Sequence, residues 1–358
     1  MTQTRRKSRG SADSARHAPG AAAFRRPDGP RGASFQLGST SGPSSQLAGP
    51  HQEPSCSHSA PSILPEPPSL PSPEPYPGYV GNWELCEQVA EGSWAQVFLA
   101  RPVDTPSDRP PAYAVKMMRP DRRDHPQAVA LIVREALAGR SLSHPHVIAV
   151  LDSHVGQEPR FLVMPWLNGT TLEDLSKGGA PVDLPAALWI ARQVAEGLNA
   201  LHTAGWTHGD VKPSNIHLSP EGHVTLLDLG FARKCGENDS IADRWLMGTF
   251  RYLAPEYLAT TLRPDIRSDI YSLGVVMYEL LSGQLPSQDG MDSDSALPRR
   301  QVPAFDLRSL VPQLPVAVVH LVQRMLAQDP LRRPQTPGEL VEQLARLEIS
   351  TFSERAVA

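Results

Sequence analysis

The stretch His208-Gly209-Asp210-Val211-Lys212-Pro213-Ser214-Asn215 is followed, a short distance along the chain, by Asp228-Leu229-Gly230. Residues 223–227 lie between them, are mostly apolar, and predict a short buried strand. Pro220-Glu221-Gly222 predicts the turn before that strand. The two polar clusters should therefore lie on the two arms of one hairpin-like unit, close enough to share a site.

The side chains of these clusters suit reactions of phosphates. Asp210, Lys212 and Asn215 supply a carboxylate, an ammonium and an amide, and Asp228 supplies a second carboxylate. Such a group can hold a divalent metal through oxygen ligands, neutralise a phosphate and accept a proton from a hydroxyl. The pattern resembles the catalytic loop and the metal-binding DFG segment of protein kinases.

An altered glycine-rich loop precedes these motifs. Residues 83–89 alternate like a strand, residues 90–95 interrupt the pattern, and residues 96–100 resume it. This hairpin resembles the kinase loop whose backbone amides cover the nucleotide phosphates. The middle glycine is present at Gly92, but the outer positions carry Ala90 and Ala95. Because alanine disfavours positive φ, we expect a loop that is stiffer than the family usually has or that holds ATP less closely.

A lysine and a glutamate complete the proposed phosphate site. Ala112-Tyr113-Ala114-Val115-Lys116-Met117-Met118 resembles the VAIK strand, and a helix predicted from about Pro126 to Leu142 carries Glu135. The resemblance implies an ion pair between Lys116 and Glu135. Gly139 lies four residues after Glu135, where kinases usually place a bulky apolar side chain, and it predicts a gap beneath this helix.

The adenine site is implied by a third resemblance. Residues 160–164 predict the last strand of the small lobe, and residues 165–169 resemble the hinge that binds adenine. His217 occupies the place beneath adenine that the family usually fills with an apolar residue. The nucleotide contacts implied by the family are Val89, Ala90, Gly92, Val97, Ala114, Lys116, Met164, Trp166 and His217.

Motifs of a protein-substrate platform follow the catalytic loop. Apolar residues recur at helical spacing from Leu184 to Leu201, and Ala254-Pro255-Glu256 resembles the motif that closes a kinase activation segment. A later helix begins near Arg267, and the chain's Asp329-Pro330-Leu331-Arg332-Arg333-Pro334 resembles a late family signature. The resemblance implies supporting roles for His208, Gly230, Thr249, Glu256, Asp269 and Arg333. Among these, Asp269 would hold the catalytic-loop backbone, and Arg333 would pair with Glu256.

The implied fold is α+β and has two lobes, with ATP between them. The resemblance covers residues 83–348, with an antiparallel, β-rich lobe plus one helix at 83–167 and a mainly helical lobe at 168–348. A last helix is predicted from Pro337 to about Leu347, which leaves residues 349–358 as a short tail. Residues 284–313 are polar and rich in proline and give no clear pattern.

Residues 1–80 predict a disordered tail. They are rich in Ser, Pro and Gly and cannot bury enough apolar surface to offset the entropy of ordering. The proline-rich run 61–77 favours extended polyproline conformations. It could dock onto a proline-binding module or serve only as a flexible tether, and composition favours the tether.

Charge, hydropathy and cysteine content narrow the classes of function. The 358-residue chain has a formal net charge of -4, which argues against bulk nucleic-acid binding, and it has no apolar run long enough to cross a bilayer. Three cysteines without metal-like spacing suit a reducing cytoplasm better than a disulfide framework.

The motifs together imply a Ser/Thr protein kinase that uses ATP with Mg²⁺ or Mn²⁺. Asp210 would accept the proton of the substrate hydroxyl, Lys212 and Lys116 would neutralise phosphate charge, and Asn215 and Asp228 would hold the metal. Lys212 and Thr249 follow the pattern of Ser/Thr kinases rather than Tyr kinases.

Two other classes remain open from the sequence. A pseudokinase scaffold is suggested by the altered glycine loop and by Gly139. A small-molecule kinase is disfavoured by Thr249, by the motif at 254–256 and by Arg333, which belong to a platform for protein substrates.

Gly209 concerns regulation. Most kinases have an arginine there that binds a phosphorylated residue of the activation segment. The absence of this arginine predicts that activity does not require phosphorylation of the activation segment. Within that segment, Ser240 is the plausible regulatory site.

Overall fold

The computed structural model describes residues 78–177, 181–236, 250–257, 264–286 and 306–357. The predictions for most of the N-terminal tail, for Ser240 and for Thr249 fall outside these residues.

The small lobe is a six-stranded antiparallel sheet with the strand order β1-β2-β3-β4-β6-β5. Residues 95–102 alternate between a buried and a more exposed face over most of their length, as expected of a half-buried sheet, whereas residues 113–118 are buried at four of six positions. The strands are β1 Tyr79–Val80, β2 Trp83–Glu91, β3 Ala95–Pro102, β4 Tyr113–Met118, β5 Asp152–His154 and β6 Phe161–Pro165.

Strand β1 corrects the predicted boundary of the tail. Val80 is only 2% exposed and joins a cluster with Phe98, Val115 and Phe161, and Gly78 O accepts a hydrogen bond from Leu85 N at 3.0 Å. Residues 78–80 are therefore part of the folded lobe, because a single buried valine fixes the strand on the sheet.

Helix α1, Pro126–Arg140, packs on this sheet. Proline at its first position suits the helix start, where no intrahelical donor is needed. Its buried face contributes Ala128, Ile132 and Ala136 to a cluster with Met118, Val150 and Leu162.

The predicted gap beneath α1 is wrong. A Cβ atom built on Gly139 would lie 2.3 Å from Val150 Cγ2 and 3.7 Å from Leu229 Cδ1. Val150 comes from the segment before β5 and fills the space that a bulky side chain occupies elsewhere in the family. Gly139 is therefore needed for close packing.

The large lobe is mainly helical. Asp183 caps α3 (Leu184–Thr203) and accepts a hydrogen bond from Ala186 N at 3.3 Å. A capping box of Asp265 and Ser268 begins α4 (Ile266–Ser282). This helix ends at Gly283, which has the left-handed conformation with φ 70°. The α4 helix is buried along most of its length. The helices are α2 Leu172–Ser176, α3 Leu184–Thr203, α4 Ile266–Ser282, α5 Leu307–Leu310, α6 Val316–Met325 and α7 Pro337–Val357. No helix in the described residues is long and apolar enough to span a bilayer.

Helix α7 is longer than predicted. The sequence suggested an end near Leu347, followed by a tail at 349–358, but the helix continues to Val357. No glycine or proline interrupts this stretch, and buried Thr351 donates a hydrogen bond to Leu347 O at 2.9 Å. The continued turns therefore remain fixed to the helix before them.

Two small sheets fix the loops between the lobes. β7 Thr170–Thr171, β9 Ile216–Leu218 and β10 Val224–Leu226 form one, and β8 Trp206–Thr207 pairs with β11 Arg233–Lys234 in the other. The β9–β10 hairpin carries the two polar clusters on its outer ends, as the sequence predicted.

Candidate functional site

An ammonium between two carboxylates lies at the back of the cleft. Lys116 Nζ on β4 is 2.7 Å from Glu135 Oε2 on α1 and 3.1 Å from Asp228 Oδ1. The sequence-predicted pair of Lys116 and Glu135 is thus formed, and Asp228 joins it. One strand, one helix and the segment after β10 meet at this point.

The three charges shift one another's protonation. Burial favours neutral Lys116, but the nearby charges of Asp228 and Glu135 prevail and raise the pKa of the ammonium. Burial raises the pKa of Glu135 to about 7, against the opposing charge of Lys116. Burial also opposes ionisation of Asp228, yet Lys116 keeps the pKa of that carboxyl below its usual value. Lys116 and Asp228 are therefore both charged at neutral pH.

The backbone at Asp228 is unusual. Its φ is 56°, the single positive value among non-glycine residues in the described part of the chain. Gly230 N donates to Asp228 Oδ1 at 3.2 Å, and Arg134 Nη1 donates to Gly230 O at 3.2 Å. The Asp228 carboxylate is therefore held by its own turn and by Lys116, and α1 holds that turn through Arg134.

Asp269, at the start of α4, holds the catalytic-loop backbone. Its two carboxylate oxygens accept hydrogen bonds from His208 N at 2.7 Å and Gly209 N at 2.8 Å. Asp210 N donates to His208 Nδ1 at 3.2 Å, so His208 Nε2 carries the proton and donates to Leu227 O at 3.0 Å. The loop and the end of β10 are thereby joined through one imidazole.

Asp210, Lys212 and Asn215 form a second polar group. Lys212 Nζ lies 2.8 Å from Asp210 Oδ2, and Asn215 Nδ2 donates to Asp210 O and Asp210 Oδ2, both at 2.9 Å. Asp210 is buried, so these contacts fix its carboxylate at the mouth of the loop.

The donor set fits a hard divalent cation. Asn215 uses its amide nitrogen on Asp210, which leaves its oxygen as the ligand, and Asp228 offers a carboxylate. Among the described residues, no cluster of three or more His, Cys, Asp or Glu is arranged to hold a metal. Two protein oxygens with phosphate and water completing the shell are what Mg²⁺ prefers in nucleotide sites.

The wall that the sequence predicts to face adenine is apolar on its small-lobe side. Ala114 and Met164 are buried, and Val97 packs against the same core. Trp166 N donates to Ala112 O at 3.0 Å, so the Trp166 amide is already engaged by the small lobe.

His217 is the unusual residue of this wall. It is 8% exposed, and its ring hydrogen-bonds the backbone of Leu167. Burial, with the nearby charge of His223, lowers the pKa of His217, so the imidazole is neutral. Gly169, with φ 139°, allows this approach, because a Cβ there would lie 2.8 Å from His217 Cε1 and 2.2 Å from Leu218 O.

The loop residues lie on a closed hairpin turn. Gly92 N donates to Ala95 O at 2.8 Å, Ala90 pairs with Val97, and Val89 is exposed on β2. Neither alanine has a positive φ, so both fit the loop backbone without strain.

The support beneath the substrate side is an ion pair between Glu256 and Arg333. Arg333 Nη1 and Nη2 lie 2.6 and 2.8 Å from the two oxygens of Glu256, and Ser268 Oγ donates to Glu256 Oε1 at 2.6 Å. Both charged side chains are almost completely buried. Thr249, predicted nearby, is outside the described residues.

Two supporting contacts were missed by the sequence analysis. Arg134 bonds Gly230 O, although nothing but its position beside Glu135 indicates a role. Tyr252 donates to Glu279 Oε2 at 2.8 Å, and burial together with that carboxylate raises the pKa of Tyr252.

Comparison with known proteins gives a consistent result. A family model described as "Protein kinase domain" matches residues 83–344. Serine/threonine-protein kinase PknB of Mycolicibacterium smegmatis is 32% identical over 278 residues, which cover 74% of this chain and 43% of that protein. A probable serine/threonine-protein kinase of Clostridium perfringens is 30% identical over 269 residues, 75% of this chain and 38% of that protein.

A third relative, serine/threonine-protein kinase PrkC of Bacillus subtilis, is 27% identical over 260 residues, 73% of this chain and 39% of that protein. The matches therefore span about two fifths of the length of these relatives.

Proposed function

Because the chain belongs to the protein kinase family, we propose that it transfers the γ-phosphoryl group of ATP to serine and threonine hydroxyls of protein substrates. One observation carries the proposal: the cleft unites a fixed carboxylate at Asp210 with the Lys116–Glu135–Asp228 cluster. The relatives that are named serine/threonine-protein kinases support the choice of acceptor.

Each residue of the site has a separate role in phosphoryl transfer. Asp210, held by Asn215 and Lys212, accepts the proton of the attacking hydroxyl and orients it. Lys212 neutralises charge on the transferred group, and Lys116, positioned by Glu135, holds the α- and β-phosphates.

The metal and nucleotide sites follow from the same geometry. Asn215 and Asp228 would hold Mg²⁺ or Mn²⁺, which would supply charge neutralisation at the phosphates. Val97, Ala114, Met164 and His217 would enclose the adenine, and the turn around Gly92 would cover the phosphates; Val89, Ala90 and Trp166 would border this space.

A catalytically silent scaffold is the second candidate. It is favoured by one observation, the loss of both outer glycines from the loop at Ala90 and Ala95. Intact Lys116, Asp210 and Asp228 favour catalysis over this alternative. A phosphoryl-transfer assay separates the two.

The proposal also includes a cellular location and a possible partner of the N-terminal tail. Two of the cysteines, Cys86 and Cys235, are free and exposed, which supports work in the reducing cytoplasm. Docking of a proline-binding module on residues 61–77 stays a prediction, which a pull-down of the full chain against a chain lacking residues 1–77 would test.

The deciding experiment follows phosphate from labelled ATP into a generic basic protein and into the chain itself. Asp210→Asn should lower turnover at least about a hundredfold, as expected for removal of a general base, while the dissociation constant for ATP changes less than about threefold. Asp152→Asn, an exposed aspartate on β5, is the matched control and should retain full turnover. Transfer at the parental rate by Asp210→Asn would overturn the role given to Asp210.

A further inference from the structure

The turn between β2 and β3 is joined to α1 by contacts outside the ion cluster. Trp94 lies on this turn, and its ring centroid is 4.7 Å from that of His125, with an angle of 56° between the planes. The guanidinium of Arg122 lies over the same indole, 5.6 Å from its centroid. The ring also packs on the cluster beneath α1 that contains Met118, Ala128 and Ile132.

The backbone reinforces this attachment. Arg119 N donates to Trp94 O at 3.0 Å, and Arg119 Nη1 donates to Glu91 Oε1 at 2.5 Å and to Gly92 O at 3.4 Å. The segment 119–125, which leads into α1, is therefore hydrogen-bonded to the turn on both sides of Gly92.

The attachment point is rigidly connected to the ion cluster. His125 is the N-cap of α1, and Glu135 follows ten residues later, about 15 Å along a straight helix. The Glu135 carboxylate is the one that meets Lys116 at 2.7 Å. We therefore expect a displacement of the turn that moves His125 to change the position of Glu135 as well.

We propose that Trp94 is a positioning residue whose tilted ring contact with His125 and cation–π contact with Arg122 couple closure of the β2–β3 turn over bound nucleotide to the placement of α1 and Glu135. The inference rests on the proposed function in one respect, that the cleft binds nucleotide. Its ring contacts His125, Arg122 and the apolar cluster beneath α1, so Trp94 acts through this helix.

Hydrogen exchange measured by mass spectrometry tests the coupling directly. The full chain is compared with and without Mg²⁺ and a non-hydrolysable ATP analogue, and the readout is exchange at residues 126–131, the first turns of α1. In the parent, nucleotide should slow this exchange at least about threefold. In Trp94→Ala the response of these residues should vanish, while the analogue still binds within about threefold of the parental affinity.

Two further variants separate positioning from general destabilisation. Trp94→Phe keeps an aromatic ring that can contact His125, and this variant should show the parental response of α1 to nucleotide. Trp189→Ala is the matched control, because Trp189 on α3 is also partly exposed and lies under a guanidinium, that of Arg192 at 4.8 Å, while its indole nitrogen donates to Gly222 O at 2.9 Å in the large lobe. This control should respond as the parent does.

Steady-state kinetics supply an independent readout. Trp94→Ala should lower kcat about tenfold with less than about a threefold change in the KM for ATP, since α1 placement rather than nucleotide binding is affected. His125→Ala removes the other half of the contact and should give the same split, which keeps the test valid if Trp94→Ala unfolds.

A nucleotide response of α1 that persists in both Trp94→Ala and His125→Ala would overturn the inference, as would its loss in Trp94→Phe. A parent chain that binds no nucleotide at all would instead overturn the proposed function, and this inference with it.

Discussion

At the scale of single residues, burial decides which ion pairs matter. Glu256 and Arg333 are 2% and 0% exposed, and Arg333 also donates to the backbone oxygens of Ala327 and Arg267. A charge removed from such a pair leaves its partner desolvated and uncompensated.

Arg333→Ala should therefore lower the free energy of unfolding by about 3–5 kcal/mol, measured by urea denaturation. Arg324→Ala is the control, because Arg324 and Glu339 are 47% and 38% exposed at 3.2 Å, and it should cost no more than about 1 kcal/mol. Similar losses in the two variants would show that burial does not set the strength of the Glu256–Arg333 pair.

Gly139 gives a second residue-scale prediction. Leucine there, the kind of side chain that kinases usually carry, would collide with Val150 and should lower the free energy of unfolding by about 1–3 kcal/mol. The double variant Gly139→Leu with Val150→Ala should recover most of that stability because it restores the packed volume. Thermal and urea melts of the three proteins measure the effect, and a single variant as stable as the parent would contradict the assigned packing.

The residue scale also shows what sequence can and cannot predict. The partners of Lys116, Glu135 and Asp269 were predicted from the resemblance to kinase motifs, and their burial explains why each charge needs a specific counterpart. The substitution of Val150 for the missing side chain at Gly139 was not predictable, because the two residues belong to different elements and apolar packing carries no local pattern.

At the scale of elements, the short strand β1 should contribute to the free energy of unfolding. Removing residues 1–77 should leave the free energy of unfolding unchanged, because the buried strand is retained. Removing residues 1–80 should cost about 2 kcal/mol, since it exposes the site of Val80 and deletes the pairing with β2. Urea denaturation of the full chain and the two shortened chains makes the comparison, and equal stability of both shortened chains would show that β1 is dispensable.

The β2–β3 hairpin supports a prediction about catalysis. Ala90 and Ala95 lie within paired strands without positive φ, so glycine at both positions relieves no strain and adds only flexibility. The double variant should change the KM for ATP by less than about threefold, measured by initial rates. A larger fall in KM would mean that the alanine side chains obstruct the phosphates.

Element boundaries were the weakest part of the sequence analysis, and the reasons are physical. Tyr79–Val80 was assigned to the tail because proline-rich composition surrounds it, whereas its order comes from sheet pairing with β2. The end of α7 was placed ten residues early because the sequence after Leu347 is polar, although it contains no residue that stops a helix.

At the scale of the whole molecule, the catalytic loop is held by a contact within the large lobe, and α1 is held by contacts within its own lobe and to the large lobe. Asp269 fixes His208 and Gly209 from the core of the large lobe, and α1 is tied to the cleft through Glu135 and Arg134. Gly209 has φ 80°, a conformation that glycine adopts freely and arginine does not. The arginine that would collect a segment phosphate is absent, and the loop is ordered without it.

Activity should therefore survive removal of phosphate from the chain. Phosphatase-treated and untreated protein should show initial rates on an external substrate that agree within about threefold, and Ser240→Ala should match both. Gly209→Arg serves as the converse variant: it should not raise the rate, because the added side chain strains the loop at φ 80°. A loss of tenfold or more on phosphatase treatment, about 1.4 kcal/mol of barrier, would show that phosphorylation orders the segment through other cations.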